Sequence, residues 1–121
     1  MKLRELSEFV EATILYGHEI LDEIDVDYAY GADLMSDVLA FARPGSLLLT
    51  GLTNVQIIRT AQMLDIPAVI FVRGKRPQKE TVELASKINM PVLLVHKSMF
   101  ETCGILYREG ILPCSIPSRE V

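Results

Sequence analysis

The chain has 121 residues, 50% of them hydrophobic and 23% charged, which supplies one packed core and argues against disorder. Its net charge of −4 weighs against nucleic-acid binding, where phosphates must be neutralised, and no apolar run approaches the ~20 residues that cross a bilayer. Met1–Leu6 lacks the features of a secretory signal, and Cys103 and Cys114 show no CxxC spacing, so the expectation is a cytoplasmic protein with reduced thiols and no membrane partner.

Leu3, Leu6, Phe9 and Val10 fall on one side of a short helix over residues 2–10, with Arg4, Glu5 and Glu8 outside. Ala12–Tyr16 reads as a strand closed by Gly17-His18, and the acidic stretch 19–27 as a turn region. Val26–Tyr30 alternates like a half-buried strand that Gly31 breaks. Asp33 stands where a carboxylate caps a helix over Leu34–Phe41. After the turn Arg43-Pro44-Gly45 come three short strands, Ser46–Thr50, Pro67–Val72 and Pro91–Val95, apolar at nearly every position. A helix over about 54–64, with Val55, Ile58, Ala61 and Leu64 on its apolar face, separates the first two, and a helix ending at Ile88 separates the others. Ser98 opens a last helix to about Arg108, and for residues 110–121, with two prolines and little periodicity, the expectation is either an extended C-terminal arm or a frayed end.

Strands without a polar face, alternating with helices, belong in a sheet covered on both sides. The expected fold is α/β: a single compact, layered domain over 1–121 with a mostly parallel central sheet. A faint internal echo accompanies it, Asp65-Ile66-Pro67 recurring as Asn89-Met90-Pro91 before the next strand.

In a parallel sheet the carboxyl ends of those strands share one edge, where open α/β sheets bind ligands. That edge gathers Thr50, Gly51, Thr53 and Asn54 from one loop, Arg73, Gly74, Lys75 and Arg76 from the next, and His96, Lys97 and Ser98 from the third. Hydroxyls, helix N–H groups and cations together suit an anionic or phosphorylated ligand. Each also has a purely structural use. Thr53 with Gln56, and Ser98 with Glu101, have capping-box spacing, and Arg73–Arg76 reads as a solvated turn with Pro77 at the first helical position. Residues 1–60 carry 4 basic and 10 acidic side chains and the remainder 8 and 6, so the acidic 19–27 stretch folding on the basic edge would pair these charges internally.

Lys97-Ser98 resembles the end of a P-loop, but His96 and Pro91 stand where that motif needs glycine, and Gly51 begins no GxGxxG. The two histidines lack zinc-site spacing, and Asp22, Glu23, Asp25 and Asp27 lack the glycine and final glutamate of an EF-hand. Catalysis would need His96, Cys103 or an acidic side chain to meet in one concave site, and no spacing points there. No catalytic residue, metal or cofactor is expected.

Tyr28–Ala40 followed by Gly45–Gly51, then Ala68–Gly74 and His96–Thr102, resemble the DRTGG domain, and the resemblance covers roughly residues 1–112. That resemblance implies an α/β domain related in fold to the amino-terminal domain of HPr kinase/phosphorylase, which lacks the kinase site. Such domains also accompany phosphotransacetylases and the CBS domains of nucleotide-regulated pyrophosphatases, are often dimeric, and have no established activity of their own. The name-giving residues are an Asp-Arg pair and a Thr-Gly-Gly. The matching places here hold Thr53-Asn54 and Val72-Arg73-Gly74, so only Gly74 agrees and the roles of the others do not carry over.

Two functions follow as expectations. The first is a non-catalytic regulatory or assembly module acting as a homodimer, with a protein partner, supported by a mean hydropathy of +0.28. The second is a binding domain for a nucleotide or other phosphorylated small molecule, which requires Arg73, Lys75, Arg76 and Lys97 to converge. Met63, Met90, Met99 and Phe100 are expected in the core rather than at an interface.

Overall fold

In the computed structural model, which describes residues 1–117, the apolar segments form short strands and the amphipathic ones form helices. In chain order these are α1 (Leu3–Phe9), β1 (Thr13–Tyr16), a 3-10 segment His18–Glu23, β2 (Tyr28–Gly31), α2 (Met35–Phe41) and β3 (Leu47–Thr50). There follow α3 (Val55–Met63), β4 (Val69–Phe71), α4 (Lys79–Lys87), β5 (Val92–Leu94), α5 (Met99–Arg108) and β6 (Leu112–Pro113). The sheet order is β1-β5-β4-β3-β2-β6, parallel throughout except for β1, which runs antiparallel along β5. No helix among the described residues is long and apolar enough to cross a membrane.

Handedness decides the layers. The connections β2→β3→β4→β5 all step in one direction, so right-handed crossovers place α2, α3 and α4 on the same face. The β5→β6 connection steps back across the sheet, and the same rule puts α5 on the other face, beside α1. Side chains of the central strands alternate accordingly. Leu47, Leu49, Ile70, Val72, Leu93 and Val95 pack with Leu3, Leu6, Val10 and Leu106 of the α1/α5 layer. Leu48, Val69, Phe71, Val92 and Leu94 pack with Val38, Ile57, Ile58, Ala61 and Ala85 of the α2–α4 layer. Both faces are thus dry, which is why these strands are apolar at consecutive positions.

The repeated tripeptide has a backbone cause. Asp65 and Asn89 both adopt φ 57, the left-handed stop at which α3 and α4 end. In each case the next amide reaches back six residues inclusive, Ile66 N–H to Ala61 O and Met90 N–H to Ala85 O, both 2.9 Å. Glu11 ends α1 and Gly110 ends α5 in the same way, through Ala12 to Ser7 and Ile111 to Leu106. This is a Schellman closure, and asparagine and aspartate tolerate it better than other side chains.

Several local expectations are corrected. Asp33 does not cap α2, whose N-cap is Leu34 without a side-chain bond, because its carboxylate faces the neighbouring strand ends instead. Asn54, not Thr53, caps α3, accepting from Gln56 N–H at 3.1 Å. Gly31 does not break β2 but is its last residue, opposite Leu49. Pro77 precedes the N-cap Gln78 of α4 rather than occupying its first turn. The acidic stretch lies away from the basic edge, with Asp22 on Arg4 and Asp25 on Lys2. Part of the expected arm is ordered as β6 along β2, while 118–121 lie outside the described residues. Met90 is buried, but Met63 and Phe100 are exposed, so only part of that group belongs to the core.

Phe71 is the largest fully buried side chain and joins the sheet to the α2–α4 layer. Phe71→Ala should cost about 3–5 kcal/mol in urea unfolding, whereas Met63→Ala at the exposed end of α3 should stay within ~0.5 kcal/mol.

A candidate site at the carboxyl edge of the sheet

Ligand crevices in open α/β sheets form where neighbouring strands send their connections to opposite faces. Here that point lies between β4, which leads into α4, and β5, which leads into α5. The two diverging loops are Arg73–Arg76 and His96–Ser98. They are also tied together: Arg73 N–H donates to Lys97 O at 2.9 Å and Gly74 N–H to Val95 O at 2.8 Å. Those bonds require φ +64 at both Arg73 and Gly74. The left-handed region costs a non-glycine such as Arg73 roughly 1–2 kcal/mol. His96 covers Gly74 closely enough that a Cβ there would lie 2.7 Å from the ring Nδ1, so the glycine serves both the turn and the contact.

The electrostatic centre of the edge is Asp33. One carboxylate oxygen accepts from Gly51 N–H at 2.6 Å and, at 3.5 Å, from the Thr50 hydroxyl, while the other accepts from Arg73 Nη1 at 3.2 Å. Thr50 is fully buried, and its Oγ1 also accepts from Leu52 N–H. The Arg73 guanidinium lies across Gly51, where a Cβ would come within 2.7 Å of its Cζ. Asp33 thereby joins the ends of β2, β3 and β4. Sequence reasoning placed it on the wrong partner: a carboxylate just before a helix fits a cap equally well, and only the register of β2 on β3 brings it to Gly51.

Thr50, Gly51, Arg73, Gly74 and His96 therefore meet, but the four cations do not converge. Lys97 turns to the α1 side, its Nζ 3.1 Å from Glu11 and 3.4 Å from the Val10 carbonyl. Arg76 lines an open groove with Tyr16, Pro77 and Lys79 beside α4, and Lys75 is exposed. Ser98 caps α5, accepting from Glu101 N–H at 3.1 Å, and Asn54 is occupied by its cap. Thr53 contributes its carbonyl, which accepts from Gln78 N–H and the buried Thr81 hydroxyl and so fastens the β3–α3 loop to α4. Among the described residues no cluster of three or more His, Cys, Asp or Glu could hold a metal ion.

A second concavity, of about 250 Å³, lies on the α5 face and is lined by Tyr30, Gly31, Cys103, Tyr107, Leu112 and Ile116 among others. It is predominantly apolar, and burial pushes the Cys103 thiol above its ordinary pKa. Tyr30 is raised too, first by burial and then by Asp37 and Cys114.

With this geometry in view, the comparisons decide the family. The family model described as the DRTGG domain matches residues 5–108, most of the chain. The chain belongs to the DRTGG domain family. Its fold is similar to the crystal structure of the CBS and DRTGG domains of the regulatory region of Clostridium perfringens pyrophosphatase, solved with the activator diadenosine tetraphosphate. The likeness has a TM-score of 0.72 at 22% identity and covers 93% of this chain. It spans 47% of that chain, about half of its length. The search of curated proteins found no match.

In this DRTGG domain the Val72-Arg73-Gly74 turn and the Thr53-Asn54 loop both lie on the edge that Asp33 organises. Asp33→Ala removes a charge-assisted bond to the Gly51 amide and leaves Arg73 without its partner. It should lower stability by about 1–2 kcal/mol, since the ion pair is largely solvated, and quicken hydrogen exchange of the Gly51 amide. Cys103 should react with iodoacetamide at pH 8 several-fold more slowly than free cysteine, because its raised pKa and partial burial reduce the accessible thiolate.

Proposed function

We propose that this DRTGG domain is a non-catalytic regulatory or assembly module that acts as a homodimer. One observation carries the reading: large apolar side chains are exposed together on α5 and the segment after it. Phe100 is 89% exposed, Tyr107 69%, Ile116 61% and Leu112 52%. The last three also rim the apolar concavity, and Phe100 lies two helical turns before Tyr107 on the same side of α5. Monomeric proteins rarely leave such a patch uncovered. The regulatory setting of the pyrophosphatase DRTGG domain agrees with this reading.

A second reading, binding of a nucleotide or other phosphorylated molecule at the carboxyl edge, draws on different observations. Lys75 and Arg76 have no ion-pair partner among the described residues and flank the β4/β5 divergence, with Gly74, His96 and Ser98 alongside. The pyrophosphatase regulatory region was solved with a dinucleotide activator. Against it stands the commitment of Arg73 to Asp33 and of Lys97 to Glu11.

Light scattering with a thermal-shift screen on one sample separates the two. A mass of about 27 kDa, twice the 13.5 kDa chain, with no shift from diadenosine tetraphosphate or mononucleotides, is the expected result. A saturable shift lost on joint Lys75→Ala and Arg76→Ala replacement would favour the ligand reading. A monomer with a flat screen would overturn both.

A further inference from the structure

We propose that the homodimer forms by antiparallel packing of α5 on its copy across a two-fold axis at Gly104, with Phe100 of each chain filling the concavity of the other. This deepens the self-association reading above and rests on it. Gly104 is the starting observation. It sits in the middle of a ten-residue helix, is exposed, has no left-handed φ, and a Cβ on it would meet nothing within 4 Å. A helix-interior glycine costs about 1 kcal/mol relative to alanine, and no contact among the described residues accounts for it. Close approach of an external backbone does.

The residues around Gly104 are self-complementary. Phe100, Gly104 and Tyr107 follow one another at helical spacings of four and three, making a single outward stripe. On one side of the stripe, Cys103 and Tyr107 line the apolar concavity. On the other, Glu101 and Arg108 stand three residues before and four residues after the glycine. A two-fold axis at Gly104 sets the start of one α5 against the end of the other. Phe100 then lies over the partner's concavity, and the Glu101 flank meets the partner's Arg108 flank, twice.

Size and charge both fit. An apolar cavity of about 150 Å³ holds benzene, so the 250 Å³ concavity accepts a benzyl group. Among the described residues Phe100 is the most exposed large apolar side chain, and Arg108, 70% exposed, has only its sequence neighbour Glu109 for an ion-pair partner. Every contact made by one chain is returned by the other, so the assembly closes as a dimer and leaves no repeating edge.

The test is the dissociation constant of the full chain by sedimentation equilibrium, with circular dichroism confirming that each variant is folded. Phe100→Asp should weaken the dimer at least ~100-fold, as an anchor residue does. Glu101→Arg and Arg108→Glu should each weaken it ~10-fold through like-charge contact, and the double variant should return to within ~3-fold of the parent. A parent dimer unaffected by Phe100→Asp would overturn this interface while leaving the homodimer reading standing. A double variant as weak as the single ones would overturn the antiparallel register. A monomeric parent would overturn the interface and the reading beneath it.

Discussion

Three strands without a water-facing side chain impose the architecture. Residues 47–50, 69–71 and 92–94 are buried on both faces, so the chain must supply a helical layer above and below them. Right-handed crossovers can fill both layers only if the path across the sheet reverses once. That reversal creates the β4/β5 divergence and sends α5 to the face where, among the described residues, Phe100 and Tyr107 of its outer stripe stay exposed. The edge and the helical face are thus two consequences of one packing requirement.

How much of this was legible depended on whether the determinant was local. Consecutive apolar residues and helical spacing marked the three buried strands and α3 to α5, because those patterns are set by burial alone. The Asp65 and Asn89 echo was visible as a repeat, yet its meaning as a left-handed helix stop appears only in the backbone. Asp33 was misassigned because a carboxylate before a helix serves a cap or a neighbouring strand equally well. Phe100 was misplaced for a related reason: Leu106 and Phe100 look alike in a periodic pattern, and the width of the buried stripe decides which one meets water.

The carboxyl edge shows how residue types that suit an anion can also serve the fold. Arg73, Lys97, Thr50 and Ser98 are the kinds of residue that bind anions, and the topology does place them on one edge. Asp33, Glu11 and a helix cap then satisfy them from within the chain. An edge neutralised this way holds loops together. It leaves Lys75 and Arg76 as the cations without such a role among the described residues.

Both borders of the sheet are closed by partners remote in sequence. β1 is joined through Thr13 opposite Leu94, and β6 through Leu112 opposite Tyr28. The strands β2, β3 and β4 each pair with the next strand in the chain, so the run from β2 to β5 can assemble progressively as a chain is synthesised. The borders cannot: β1 must wait for β5, and β2 keeps an unpaired side until nearly the whole domain has emerged. During synthesis the nascent domain therefore keeps one side of β2 exposed until β6 is made, and an unpaired strand edge is where β-structure is prone to mispairing.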